Sequence, residues 1–96
     1  MRIAWTKIAS HDLETIEDHV RKDNPRDAVR QVLGVIDAVE QSVSPAPGNG
    51  QTGPLARTME FNVTGTPYKV ACRVKNNVLE VLRVLNNTLQ YNGTNI

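Results

Sequence analysis

"YKVACRVKNNVLEVLRVL", residues 68 to 85, decides how this chain folds. Tyr68, Val70, Cys72 and Val74 alternate with Lys69, Ala71 and Arg73, the two-residue period of a strand with one covered face. Asn76-Asn77 follows, and asparagine tolerates the positive φ that a two-residue hairpin turn requires. Residues 78 to 85 are then apolar at odd and even positions alike, as in a strand covered on both sides in the middle of a sheet. With the turn at Asn76-Asn77, Lys75 faces Val78, Arg73 faces Glu80, Ala71 faces Leu82 and Val70 faces Arg83. This register gathers Tyr68, Val70, Cys72, Val74, Leu79, Val81 and Leu85 on the covered face. It leaves Lys69, Ala71, Arg73, Glu80, Leu82 and Val84 on the other. Arg73 gains an opposed carboxylate in Glu80, a cross-strand ion pair, while Lys69 has no evident partner. Arg83 points toward the apolar side, where a guanidinium must reach loop carbonyls or a helix carboxylate, or extend past the sheet edge. A slip of one residue reverses that assignment.

Upstream of the hairpin, Met59, Phe61 and Val63 alternate with Thr58, Glu60 and Asn62, a further strand closed by the turn "TGTP" at 64 to 67. Residues 44 to 56, "SPAPGNGQTGPLA", hold three prolines and three glycines and read as a loop. It is no phosphate-binding loop, because no Gly-Lys-Ser/Thr follows and it leads into a strand. From residue 7 to about residue 22, Ala9, Leu13, Ile16 and Val20 recur at helical spacing. Asp23-Asn24-Pro25 ends that helix and starts another, with Asn24 as N-cap, Pro25 in the first turn and Asp27 near the positive helix end. Ala28, Val29, Val32, Leu33, Ile36, Val39 and Val43 give the second helix a broad apolar stripe. Residues 2 to 5, Arg-Ile-Ala-Trp, form a short opening strand. The predicted fold is α+β, in the order β-α-α-β-β-β, with a helical hairpin on one face of a mainly antiparallel four-stranded sheet.

Bulk properties narrow the function. Ninety-six residues are expected to make one domain, 1–96, including the 44–56 loop and a tail from 86 to 96. A net charge of +1 gives no global field to draw in nucleic acid or a membrane surface. No signal peptide or membrane span is apparent, so a cytoplasmic protein is expected. The only cysteine, Cys72, excludes an intramolecular disulfide and a cysteine-based metal cluster. His11 and His19 lie more than two helical turns apart with no third ligand beside them, and neither Ser10 nor Ser44 has a visible base. No cofactor or metal is implied.

Several strings in order resemble the ParE/RelE toxin superfamily of bacterial type II toxin–antitoxin modules. "IAWT" followed by "ASHDLETIEDHV" is similar to its opening strand and first helix, and "DNPRDAVRQV" to its inter-helix junction. "GTPYKVACRV" followed by "LEVLRVLNNTLQY" is similar to its closing hairpin and tail. The resemblance implies a growth-inhibiting toxin, as in plasmid stabilisation, neutralised by a cognate ParD- or RelB-like antitoxin. A partly disordered antitoxin segment would dock in a groove or add a strand. RelE-like members cleave mRNA on the ribosome and need cations at the scissile phosphate and groups that move protons. In that role the resemblance casts Lys69, Arg73 and Arg83 as phosphate-stabilising residues and Tyr91 as the group near the leaving oxygen. The tail "NNTLQYNGTNI" holds no Lys, Arg or His, however, and Asn86 stands where the nucleases often have His. Met59 replaces an often basic residue and Cys72 an often tyrosine one. These departures turn the expectation toward a ParE-like, non-enzymatic toxin that contacts DNA gyrase and does not bind DNA by itself. The alternatives are a RelE-like endoribonuclease or a toxin homologue without activity. Lys69, Arg73, Arg83, Asn86, Gln90 and Tyr91 are the candidates for target or antitoxin binding.

Overall fold

Residues 2–43, 51–52 and 58–89 are described by the structure, a computed structural model. Strand β1 (Arg2–Trp5) passes into helix α1 (Lys7–Arg21) through a single residue, Thr6. The Thr6 hydroxyl oxygen accepts the Ala9 N–H at 3.1 Å, which caps the helix. The same hydroxyl donates to the Val81 carbonyl at 2.9 Å, and the Thr6 N–H donates to that carbonyl at 3.2 Å. One side chain thus starts the helix and ties it to the strand beneath. Thr6→Val should cost about 1–2 kcal/mol by removing the cap and the long-range bond. Thermal unfolding should show a fall of roughly 5–10 °C, with Thr6→Ser close to the parent protein.

Helix α1 buries Ala9 and Ile16, with Leu13 and Val20 packed beside them, along the expected stripe. Helix α2 (Pro25–Ser42) starts as the sequence indicates: the Asn24 side chain accepts the Asp27 N–H at 3.1 Å and Pro25 occupies the first turn. Its apolar stripe is narrower than expected. Ala28, Val35 and Val39 are buried, whereas Val29 and Leu33 stay exposed. Only part of the predicted stripe faces the core, and Val35, outside that list, lies at its centre.

The sheet runs in the order β1-β5-β4-β3-β2. Its main members are β1, β3 (Thr58–Asn62), β4 (Tyr68–Lys75) and β5 (Val78–Asn86). These are the four expected strands. A two-residue strand, β2 (Gln51–Thr52), adds to the β3 edge within the segment expected to be loop; the rest of that segment lies outside the described residues. β1 pairs with β5 in parallel, and the remaining pairs are antiparallel. α1 packs on β5 and α2 reaches β4, so both helices cover one face. Ala9, Ile16, Val35, Val39, Val63, Val70, Cys72, Leu79, Val81 and Val84 form the core between the layers. No described helix is long and apolar enough to cross a membrane.

Asn76 and Asn77 do form the hairpin turn, both at positive φ (53° and 61°). From that turn the expected register holds through Lys75↔Val78, Arg73↔Glu80 and Cys72↔Val81. It then breaks. Ala71 pairs with Arg83 and Val70 with Val84, so Leu82 is an extra residue in a β-bulge. The one-residue offset corrects three assignments. Val84 moves into the helix-covered core, Leu85 joins Ala71 and Leu82 in a small cluster outside that core, and Arg83 stands opposite Ala71 rather than Val70. Regular alternation cannot reveal a bulge inside a strand that is apolar at almost every position. Val74, expected under the helices, stays largely exposed near the turn.

Candidate functional site: the charged face of the sheet

Ala71 marks the centre of the sheet face. Register sets Glu60 of β3 on one side of it and Arg83 of β5 on the other, with Lys69 and Arg73 two residues away along β4. Three of the sequence-derived candidates therefore surround one small buried residue. Asn86 lies at the far end of β5 opposite Tyr68, and its side-chain oxygen accepts from the Thr88 N–H at 3.0 Å and the Thr88 hydroxyl at 2.8 Å. Gln90 and Tyr91 lie outside the described residues.

Each of the three cations meets a carboxylate. Arg73 Nε donates to Glu80 Oε1 at 2.6 Å, the cross-strand pair that the register implies. Lys69 Nζ donates to Glu60 Oε1 at 3.0 Å, which corrects the expectation of a partnerless lysine. Glu60 faces Ala71, so it is the diagonal neighbour of Lys69 and within reach of its long stem. This pair is 12% and 16% exposed, far less open than a surface ion pair. The second carboxylate oxygen of Glu60 is buried with no hydrogen-bond partner.

Arg83 reaches one of the acceptors expected of it, a helix carboxylate. β1 ends its pairing with β5 at Trp5↔Val81, leaving the next stretch of β5 with an open edge. Asp12 of α1 covers it: its Oδ2 accepts the Val84 N–H at 2.9 Å and Arg83 Nε at 2.8 Å, while its Oδ1 accepts Arg83 Nη2 at 3.1 Å. The side chains of Arg83 and Asp12 are 19% and 13% exposed. Of the acceptors that the sequence suggested for Arg83, a helix carboxylate is the one found. Asp12 itself was invisible from sequence, because its partners lie 71 and 72 positions away.

The arrangement has clear chemical limits. A cation already bonded to a carboxylate must break that pair before it can stabilise phosphoryl charge, so these three are not preorganised for that work. Burial pushes the Cys72 thiol up to about 11, which keeps it protonated and unreactive near neutrality. Burial, and then the nearby Asp27 charge, also raise the Tyr68 phenol. Asp27 is held below its ordinary value by hydrogen bonds from Arg30 (2.7 Å) and Gln31 (2.8 Å). Arg30 also donates to the Gly65 carbonyl at 3.3 Å, joining the start of α2 to the β3–β4 turn. Gly65 takes φ 79° there, a conformation that side chains disfavour. No three His, Cys, Asp or Glu residues are grouped as a metal site among the described residues.

Comparison with known proteins agrees with this architecture. Residues 3–91 match the family described as "ParE toxin of type II toxin-antitoxin system, parDE". A Sinorhizobium fredii (strain NBRC 101917 / NGR234) protein named "Putative toxin Y4kP" is 31% identical over 84 residues, covering 88% of this chain and 85% of that one. A solved structure from "Chromosomal ParDE TA system from P. aeruginosa" superposes with a TM-score of 0.81 at 25% identity, covering 90% of this chain and 95% of its own. The chain belongs to the ParE toxin family of type II toxin–antitoxin systems.

Proposed function

We propose that this ParE-family toxin inhibits DNA gyrase by protein–protein contact in the cytoplasm and is held inactive by a cognate antitoxin. The observation that carries this reading is the state of the sheet cations. Lys69, Arg73 and Arg83 are each bonded to a carboxylate, at 3.0, 2.6 and 2.8 Å, and the tail sequence adds no Lys, Arg or His. Such a face suits contact with a protein surface better than cleavage of RNA, whose transition state needs cations in place before charge develops. Similarity to a chain from a ParDE system supports the antitoxin as partner.

A supercoiling assay with purified toxin tests the target. Micromolar toxin should block gyrase supercoiling or trap cleaved DNA, and equimolar antitoxin should restore activity. If gyrase is untouched while primer extension on translated mRNA shows codon-associated cuts, the toxin is a ribosome-dependent endoribonuclease, with Lys69, Arg73, Arg83 and Tyr91 as the candidates for its catalytic groups. If neither occurs and induced expression leaves growth unchanged, the chain has lost its toxicity.

A further inference from the structure

Helix α2 carries a second apolar stripe that the core does not use. Val29 and Leu33 are 51% and 58% exposed, and Ile36 on the same side is half-buried. Arg26 and Glu40, both exposed, continue the line at its two ends. Positions 26, 29, 33, 36 and 40 are spaced alternately by three and four, the spacing by which one helix packs along another. The ends differ in sign, and neither Arg26 nor Glu40 forms an ion pair among the described residues.

The order of charges selects the occupant. Leu33 is equidistant in sequence from Arg26 and Glu40. If a second copy of α2 crosses this one antiparallel, with a two-fold axis at Leu33, the two Leu33 side chains meet at the axis. Val29 and Ile36 pack around them, and Arg26 of each copy lies opposite Glu40 of the other. A two-fold interface must be self-complementary, so that a residue matched once is matched twice. This stripe meets that condition in both its apolar centre and its charged ends. A parallel arrangement would instead set Arg26 against Arg26 and Glu40 against Glu40. We infer that the outer stripe of α2 is a self-association surface, through which two copies of the toxin pair by antiparallel α2 helices.

The contact is only part of one helix, so the dimer is weak and forms as concentration rises. Sedimentation velocity on the purified chain, up to about 500 µM, should show a monomer passing into a dimer and no larger species. Leu33→Asp should abolish the dimer with an unchanged circular dichroism spectrum, since Leu33 lies outside the core. At low salt, Arg26→Glu and Glu40→Arg should each weaken dimerisation by about 5–10-fold, because each removes two ion pairs and creates two like-charge contacts. The double variant Arg26→Glu/Glu40→Arg should return to within about twofold of the parent, as the swap restores both pairs. A chain that stays monomeric throughout overturns the inference, as does a dimer that ignores Leu33→Asp or a double swap that fails to restore pairing. If the monomer persists and Leu33→Asp instead abolishes binding of purified antitoxin, the stripe belongs to the antitoxin. That last result would leave the gyrase reading intact, and a failed supercoiling assay would leave the dimer intact.

Discussion

Asp12→Ala should lower stability by about 3 kcal/mol, a large share of what a domain of this size possesses. Two losses combine. Arg83 keeps its charge at 19% exposure after its bidentate carboxylate is gone, and the Val84 N–H loses its acceptor. Breaking one partner of a well-buried pair costs about 3–5 kcal/mol, and residual solvent access brings the figure to the lower end. Urea titration should show the midpoint falling with little change in slope, and thermal unfolding a drop of roughly 12–20 °C. Asp12→Asn retains one oxygen for the Val84 N–H and should fall between alanine and the parent. Replacing both Asp12 and Arg83 with apolar residues should recover part of the loss, since no guanidinium then remains without the Asp12 carboxylate. An unchanged midpoint for Asp12→Ala would show that Asp12 contributes nothing at that edge.

Deleting Leu82 should leave the chain folded but destabilised by about 3–5 kcal/mol. Leu82 is the additional residue of the bulge, so its removal restores uninterrupted pairing from the Asn76-Asn77 turn. In that register Arg83 still faces Ala71 and Val84 still faces Val70, so every side chain keeps its face and only the buried Leu82 side chain is lost. The lost burial of Leu82 and the straightening of the strand together stay below the roughly 5–15 kcal/mol available to a small domain. Leu82→Ala keeps the bulge and should cost about 2–3 kcal/mol, so the excess cost of the deletion measures what the bulge itself contributes. Urea and thermal unfolding give both values, and a deletion variant with the Tm of Leu82→Ala would mean that the bulge is dispensable.

The same bulge marks the limit of what the sequence makes legible. Helix starts are local events, so Asn24 and Pro25 announce themselves within a few residues, and Asn76-Asn77 announce their turn for the same reason. Alternation correctly assigns faces in β3 and most of β4, where polar and apolar residues take turns. In β5 apolar residues occupy both parities, and nothing local tells Val84 from Leu85. The candidate site divides along similar lines. Arg73–Glu80 follows from counting back from a turn, and Lys69–Glu60 requires knowing that β3 lies beside β4 with Glu60 facing Ala71. Arg83–Asp12 depends on how a helix crosses the sheet edge, which no short-range pattern encodes. Periodicity and turn signals supplied the arrangement of elements, but not the counter-charges of Lys69 and Arg83, and these are what change the reading of the cations.

The pairing of β1 with β5 also governs when the toxin comes into existence. Arg2 finds its partner at Val78, seventy-six positions later, so the first strand made waits for the last. At about 5–20 residues per second, a ribosome needs roughly 4–15 s to supply that partner. Until then Ile3 and Trp5 have no strand beside them, the Thr6 hydroxyl lacks its acceptor on Val81, and Asp12 has no edge to cover. Contacts so remote in sequence carry a high loop-closure cost and slow the final assembly. A nascent chain therefore lacks the finished sheet through most of its synthesis, and the charged face around Ala71 does not exist before β5 emerges.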